Sequence, residues 1–253
     1  MTTNTEYDIV VLYENEEWQR PLFDALSALG VNYGKYDLKS NAFDTSQIPK
    51  AKVYFNQASP SAYVRQRLRV VPYTKALLRN LEIAGAKVLN GADVFEFELS
   101  KSAQAARLKG LGIDHPHTIV FNDVDALGSR KDLKFPAMLK PEQGGSGARM
   151  HKVESLTELK QLLEDQPEIW NPDQLLLLQE FCPHDPEFGI VRLEFVGGKL
   201  LYAMRVVTHG QYNLCPSETC NPVDGVPGTC AVRKPAIATL YRTIWVPARV
   251  VVM

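Results

Sequence analysis

Residues Phe135 to Met150 read FPAMLKPEQGGSGARM, a short apolar run that ends in a lysine and leads into a glycine-heavy loop. Three of the four residues from Gly144 to Gly147 are glycine, so the backbone there can adopt positive φ and approach a ligand closely. Loops of this kind often cover phosphates. The P-loop pattern does not fit, because Gly147 is followed by Ala148 and Arg149 rather than Lys and Ser or Thr. A dinucleotide fingerprint fails as well, since Met150 stands where another glycine would be needed. A plain surface turn is the alternative reading of the segment.

Around this stretch, 253 residues are enough for one large domain or two modest ones, and two fits better. Hydrophobic residues at 45% and charged residues at 23% describe an ordinary globular chain rather than a disordered one. A net charge of -1 provides no field that would favour nucleic acid or an anionic membrane. The opening MTTNTEYDIVVLY has no basic segment of the kind that begins a signal peptide, and no apolar run approaches the length of a membrane span. Cys182, Cys215, Cys220 and Cys230 form no C-x-x-C pair and match no zinc spacing, so the chain reads as a reduced, cytoplasmic protein without a cysteine metal site.

Strand and helix signals alternate along the first hundred residues. YDIVVLY (Tyr7 to Tyr13), AKVYFN and AKVLNG read as strands, while RPLFDALSALG (Arg20 to Gly30) and YTKALLRNLEIAG (Tyr73 to Gly85) read as helices with glycine stops. The pattern predicts an open α/β layer with parallel strands. Next come a helix in SKSAQAARLKGLG, a strand in PHTIVF, the strand ending at Lys140, and DQLLLLQEF, whose continuous apolar core suits a strand covered on both faces. IVRLEFVGGKLLYAMRVV then reads as a hairpin turning at Gly197-Gly198. Counting from a Val196–Lys199 pair puts Arg192, Glu194 and Arg205 on one face, with the two arginines as diagonal neighbours able to converge on one anion. A solvated polar face is the alternative.

The order of these parts resembles the ATP-grasp superfamily, in particular the branch of the ribosomal-S6 modification enzyme and glutathione synthetase. An α/β domain is followed by a helix opening with lysine, a strand-lysine-glycine loop, a strand ending Gln-Glu-aromatic, and an arginine-bearing hairpin. The likeness runs from about Tyr7 to Val207, and its specificity lies in five weak motifs in the right order. It implies an ATP-grasp fold with an N-terminal Rossmann-like, pre-ATP-grasp domain (1–99), a nucleotide-binding region (100–210) and an anomalous tail (211–253).

The resemblance also implies roles. Lys101 and Lys140 are expected on ATP phosphates, and Gly144, Gly145, Ser146 and Gly147 form a flap over the β- and γ-phosphates. Gln179, Glu180 and Phe181 make the hinge that reads adenine, with backbone groups released where the strand ends. Asp185 or Glu187 binds ribose, and Arg192 and Arg205 hold an acyl phosphate or its developing oxyanion. The implied function is an ATP-dependent carboxylate-amine (or thiol) ligase. It would act through an acyl-phosphate intermediate on small-molecule carboxylate and amine substrates, without nucleic acid or membrane partners, and homo-oligomerisation is compatible with it.

One segment departs from the resemblance. Family members carry a later acidic residue and a Glu-x-Asn segment that bind two magnesium ions. Here Asp224 is the last carboxylate, and none occurs among the 29 residues from Gly225 to Met253. RKPAIATLYRTIWVPARVVVM is basic, apolar and without period. Expected Mg2+ therefore lacks its ligands, and the C-terminal part reads as truncated or foreign. On that expectation the ligase is impaired, or the chain is a degenerate nucleotide-binding module without turnover.

Overall fold

The computed structural model describes residues 7–47, 50–144, 149–185 and 187–207. The tail from 211 onward, with its expected deviation from the family, lies outside them. The described residues fall into two compact units, divided between Lys101 and Ser102.

The first unit is built on β1 (Tyr7–Tyr13), β2 (Tyr33–Asp37), β3 (Ala51–Asn56) and β4 (Val88–Leu89), with α1 (Glu16–Ala28), α2 (Val70–Ile83) and α3 (Ala92–Leu99). All neighbouring strands are parallel, in the order β2-β1-β3-β4. Alternation along β1 explains the layering: Val10 and Leu12 pack with Leu77, Leu78 and Leu81 of α2 and Phe95 of α3, whereas Val11 and Tyr13 pack with Phe23 of α1. Helices thus cover both faces, as the alternating sequence pattern predicts.

Helix ends follow local chemistry. Asn15 caps α1 by accepting a hydrogen bond from the Trp18 amide, so the helix begins at Glu16, four residues before the Arg20 start read from the apolar spacing. Gly30 ends α1 at φ +65°, donating to Ser27 O.

The second unit contains α4 (Lys101–Gly110, of which Lys101 belongs to the first unit), β5 (Thr118–Phe121), β6 (Ala137–Pro141), β7 (His151–Val153), α5 (Leu156–Asp165), β8 (Leu176–Glu180), β9 (Ile190–Val196) and β10 (Lys199–Val206). Its four-stranded sheet has the order β5-β8-β6-β7 and is antiparallel throughout. Strand β8 is buried on both faces, as its apolar run predicts, although its neighbours are antiparallel. Ile119, Phe121, Ala137, Leu139, Val153, Leu176 and Leu178 share one face, packed under Leu159 and Leu163 of α5.

The hairpin β9–β10 is a separate two-stranded sheet. It turns at Gly197 and Gly198, both at positive φ, the requirement of a type I′ turn, and pairs Val196 with Lys199. The expected register holds only as far as Leu200 opposite Phe195. An irregularity between Leu200 and Tyr202 then sets Tyr202 opposite Glu194, Met204 opposite Arg192 and Arg205 opposite Val191. The extra residue moves every later side chain of β10 to the other face relative to simple counting. Arg192 and Arg205 therefore point from opposite faces and are not diagonal neighbours.

No helix among the described residues is long and apolar enough to cross a membrane.

Candidate functional site

The second face of the four-stranded sheet differs in character from the apolar one. Alternation places Thr118, Met138, Lys140, Leu177 and Gln179 on it, and the register sets Thr118 and Met138 beside Gln179 and Lys140 beside Leu177. Lys140 is 5% exposed, an uncommon burial for a lysine. Its Nζ donates to Gln179 Oε1 at 2.5 Å, and Gln179 Nε2 in turn donates to Thr118 Oγ1 at 2.8 Å. Three strands thereby hold one ammonium through a neutral amide and hydroxyl relay.

Among the described residues no carboxylate lies within salt-bridge distance of Lys140. Burial accordingly lowers its pKa from the ordinary 10.5 to about 8, with the nearby Cys182 opposing the shift. A buried cation held only by a neutral amide is a poor structural element and a suitable anion receptor.

Sequence reasoning missed Glu142, two residues beyond Lys140. Its carboxylate is buried and accepts from the Ser102 amide at 3.0 Å and from Ser102 Oγ at 2.6 Å. A negative charge thus sits at the start of α4, where the helix dipole favours it. The contact ties the end of β6 to the residue after Lys101. A signal was available in the short spacing between Lys140 and Glu142, but a carboxylate gives no sequence indication that its partner lies forty residues upstream.

The glycine segment itself is only partly described. Gly144 follows Gln143, whose amide donates to Asp173 Oδ2 at 3.0 Å, and Arg149 on the far side donates to Asn171 O at 3.0 Å. Both ends of the loop are thus anchored on one short stretch before β8. Gly145, Ser146 and Gly147 lie outside the described residues.

At the expected hinge the strand end is not open in the anticipated way. The Glu180 amide donates to His117 O at 2.8 Å and the Phe181 amide to Pro136 O at 3.3 Å. These N–H groups keep partners because the residues just before β5 and β6, His117 and Pro136, lie beside the end of β8. Glu180 lies 3.6 Å from Lys134, and the Phe181 ring packs against Lys152 Nζ at 4.9 Å.

Asp185 closes a turn, its Oδ1 accepting from the amides of Glu187 at 2.8 Å and Phe188 at 3.3 Å, while Glu187 is exposed. Gly189 donates to Asp185 O and leads into β9. On the hairpin, the Arg205 guanidinium lies 5.7 Å from the Phe188 ring. The structure thus brings together Lys140 and Gln179. It places Arg192 and Arg205 apart, and it positions Lys101 at the half-buried start of α4.

No group of three His, Cys, Asp or Glu side chains arranged to hold a metal occurs among the described residues.

No family model and no curated protein matches the sequence. Comparison of the fold does give matches. The chain is similar to a RimK-domain ATP-grasp protein from Sphaerobacter thermophilus, with TM-score 0.61 and 18% identity over 78% of this chain and 72% of that one. It is also similar to the ATP-grasp ligase PsnB, solved with a precursor peptide and AMPPNP (TM-score 0.51, 21% identity, 82% and 75% coverage). A third match is the D-cycloserine synthetase DcsG (TM-score 0.52, 15% identity, 77% and 66% coverage). At these identities the likeness is one of fold, and the fold is ATP-grasp.

Proposed function

We propose that the chain binds ATP on the Lys140–Gln179 face of its second unit and uses it as a carboxylate-amine (or carboxylate-thiol) ligase. The observation that carries this reading is the buried Lys140 ammonium, held among the described residues only by the neutral Gln179 and followed in sequence by a glycine-rich stretch. A phosphate oxygen would supply the countercharge that the fold omits, and a compact ammonium suits it as a point charge. Lys101 is assigned to the same phosphates, and Gly144 with Gly145, Ser146 and Gly147 to the flap above them.

Adenine is assigned to Gln179, Glu180 and Phe181. Since the Glu180 and Phe181 amides are already engaged, the reading relies on the carbonyls and side chains of this stretch. Glu187 is the better ribose ligand, because Asp185 is committed to its turn. In the reaction a carboxylate oxygen attacks the γ-phosphorus and ADP departs. An amine or thiol then attacks the acyl carbon, and inorganic phosphate leaves with the electron pair of the C–O bond. One hairpin arginine holds the phosphorylated carboxyl group; Arg192 is assigned this role, because Arg205 packs on Phe188 from the other face.

The proteins of similar fold support the reading in their own names, one being a ligase solved with a peptide and AMPPNP. Substrates of the present chain would be small-molecule or peptide carboxylates and amines. Calorimetric titration with ATP tests the first half: saturable binding tighter than about 1 mM is expected, and none at that level overturns it. Phosphate release that needs both a carboxylate and an amine tests the second half, and binding without any such release would leave a nucleotide-binding module.

A further inference from the structure

In the first unit the chain leaves β1 through α1, on one face of the sheet, towards β2. It leaves β3 through α2, on the other face, towards β4. The carboxyl ends of the adjacent strands β1 and β3 therefore flank a point where the connections diverge, the place where open α/β sheets form a crevice for ligands. Glu14 directly follows β1, and the segment Pro60–Arg65 with Arg67 follows β3.

These residues form a charged cluster in an unusual setting. Glu14 is 1% exposed, and its two carboxylate oxygens accept from Arg65 Nη2 and Arg67 Nη1. Arg67 Nη1 also donates to the Glu14 carbonyl at 2.6 Å. Arg65 is sandwiched further, donating to Ser61 Oγ at 2.9 Å and lying 4.5 Å over the Trp18 ring. Gln66, between the two arginines, adopts φ 59°, a left-handed backbone uncommon outside glycine, and this turn directs both guanidiniums back to one carboxylate.

The cluster is incomplete in charge and in hydrogen bonds. Two guanidiniums face one carboxylate, and no second acid pairs with either among the described residues, so one positive charge is left over. Among the described residues the buried Arg65 Nε has no acceptor. Arg67 is 28% exposed at the edge of the cluster and, among the described residues, donates through Nη1 alone, leaving its Nε and Nη2 edge unused. Buried charge without full compensation is costly, which makes an internal strut a poor account of the arrangement.

We propose that this crevice is an anion site, in which the unused edge of Arg67 takes the carboxylate of a small ligand and the Arg65–Glu14 pair fixes the Arg67 guanidinium in place. A monoanionic carboxylate matches both the fork geometry of guanidinium and the single surplus charge, whereas a phosphate dianion exceeds it. The site lies wholly within the first unit and stands independently of the nucleotide reading.

The test uses the full chain with 15N-labelled arginine, following the Nε–H resonances of Arg65 and Arg67 by NMR while acetate or, in parallel, inorganic phosphate is added. The expected result is a saturable shift of the Arg67 resonance with acetate at millimolar concentration, with phosphate weaker at equal ionic strength. Arg67→Gln should weaken acetate binding at least tenfold. Arg67→Lys, which preserves the charge opposite Glu14 and so protects the fold, should also lose the saturable response, because it lacks the fork. Shifts that grow without saturation to ~100 mM would mark ordinary screening and overturn the proposal. So would tighter binding of phosphate than of acetate, or undiminished acetate affinity in a folded Arg67→Lys chain.

Discussion

Lys140 and Gln179 meet across β6 and β8, the ammonium donating to the amide oxygen at 2.5 Å within a sheet face that buries both strands. The pairing is diagonal, since Lys140 stands opposite Leu177 and Gln179 opposite Met138, and the reach of a lysine is needed to make it. A charge kept here without an acid costs stability, and under the proposed function an anionic ligand would account for its retention. Replacing Lys140 with Met should therefore raise the thermal midpoint of the ligand-free chain while weakening ATP binding at least tenfold, about 1.4 kcal/mol. Scanning calorimetry and ATP titration on the same variant check both halves. A lower midpoint with unchanged affinity would make Lys140 structural.

The lowered pKa of Lys140 gives the binding a definite pH dependence. Burial brings the free group to about 8, and a bound phosphate would raise it, because an adjacent negative charge favours the protonated form. Binding should consequently take up a proton near and above pH 8, with affinity full below about 8 and falling above it. Titrations in buffers of different ionisation enthalpy measure this uptake directly. In the ligand-free protein the sign differs. Between about 8 and the unfolded value of 10.5 the unfolded chain binds more protons, so the destabilisation present at neutral pH is relieved as pH rises through that window.

Glu142 should prove more important than its position in a loop suggests. Glu142→Ala would leave the Ser102 amide and hydroxyl without their acceptor at the start of α4, costing about 1–3 kcal/mol. Glu142→Gln preserves shape and one acceptor while removing the charge that complements the helix dipole, and should cost about 1 kcal/mol or less. Urea denaturation of the two variants measures the difference. Equal, negligible losses would show that the cap contributes nothing.

Local patterns carried most of the fold, and the exceptions have physical causes. Tyr7–Tyr13 and Ala51–Asn56 were readable as strands because apolar and β-branched residues are bounded by turn or charged residues, and the parallel layer followed from alternation with helices. Leu176–Glu180 announced its double burial in an unbroken apolar run. Lys140 stood out as a candidate because a glycine-rich stretch follows it directly in sequence, and the ATP-grasp likeness rested on the order of such contiguous motifs.

What failed depends on one extra residue or on distant partners. The irregularity between Leu200 and Tyr202 has no proline or glycine to reveal it, and it reversed the inferred faces of Arg192 and Arg205. The amides of Glu180 and Phe181 are satisfied by His117 and Pro136, which no reading of β8 alone discloses. Strand Tyr33–Asp37 was overlooked because YGKYD alternates weakly and holds a glycine.

The hairpin supplies the last prediction, through glycines that look alike in sequence. Gly197 and Gly198 turn at φ +57° and +76° with open space where a Cβ would go. Gly189, at φ +76°, would place a Cβ 1.9 Å from the Val206 carbonyl oxygen, an overlap with backbone that no rotamer relieves. Ala at 197 should therefore cost only the left-handed backbone penalty, about 1–2 kcal/mol, loosening the turn while the pairing away from it stays intact. Ala at 189 must displace the end of β10 from the start of β9, where Val206 pairs with Ile190. Hydrogen exchange separates the two cases. Gly189→Ala should speed exchange at the open end of the hairpin, around Ile190 and Val206, while leaving the turn-proximal pair Val196 and Lys199 slow; Gly197→Ala should do the reverse. Fast exchange at both ends in the Gly189→Ala chain would mean that β9–β10 is held from its base rather than from its turn, and slow exchange at both would rule out the close approach of Gly189 to Val206.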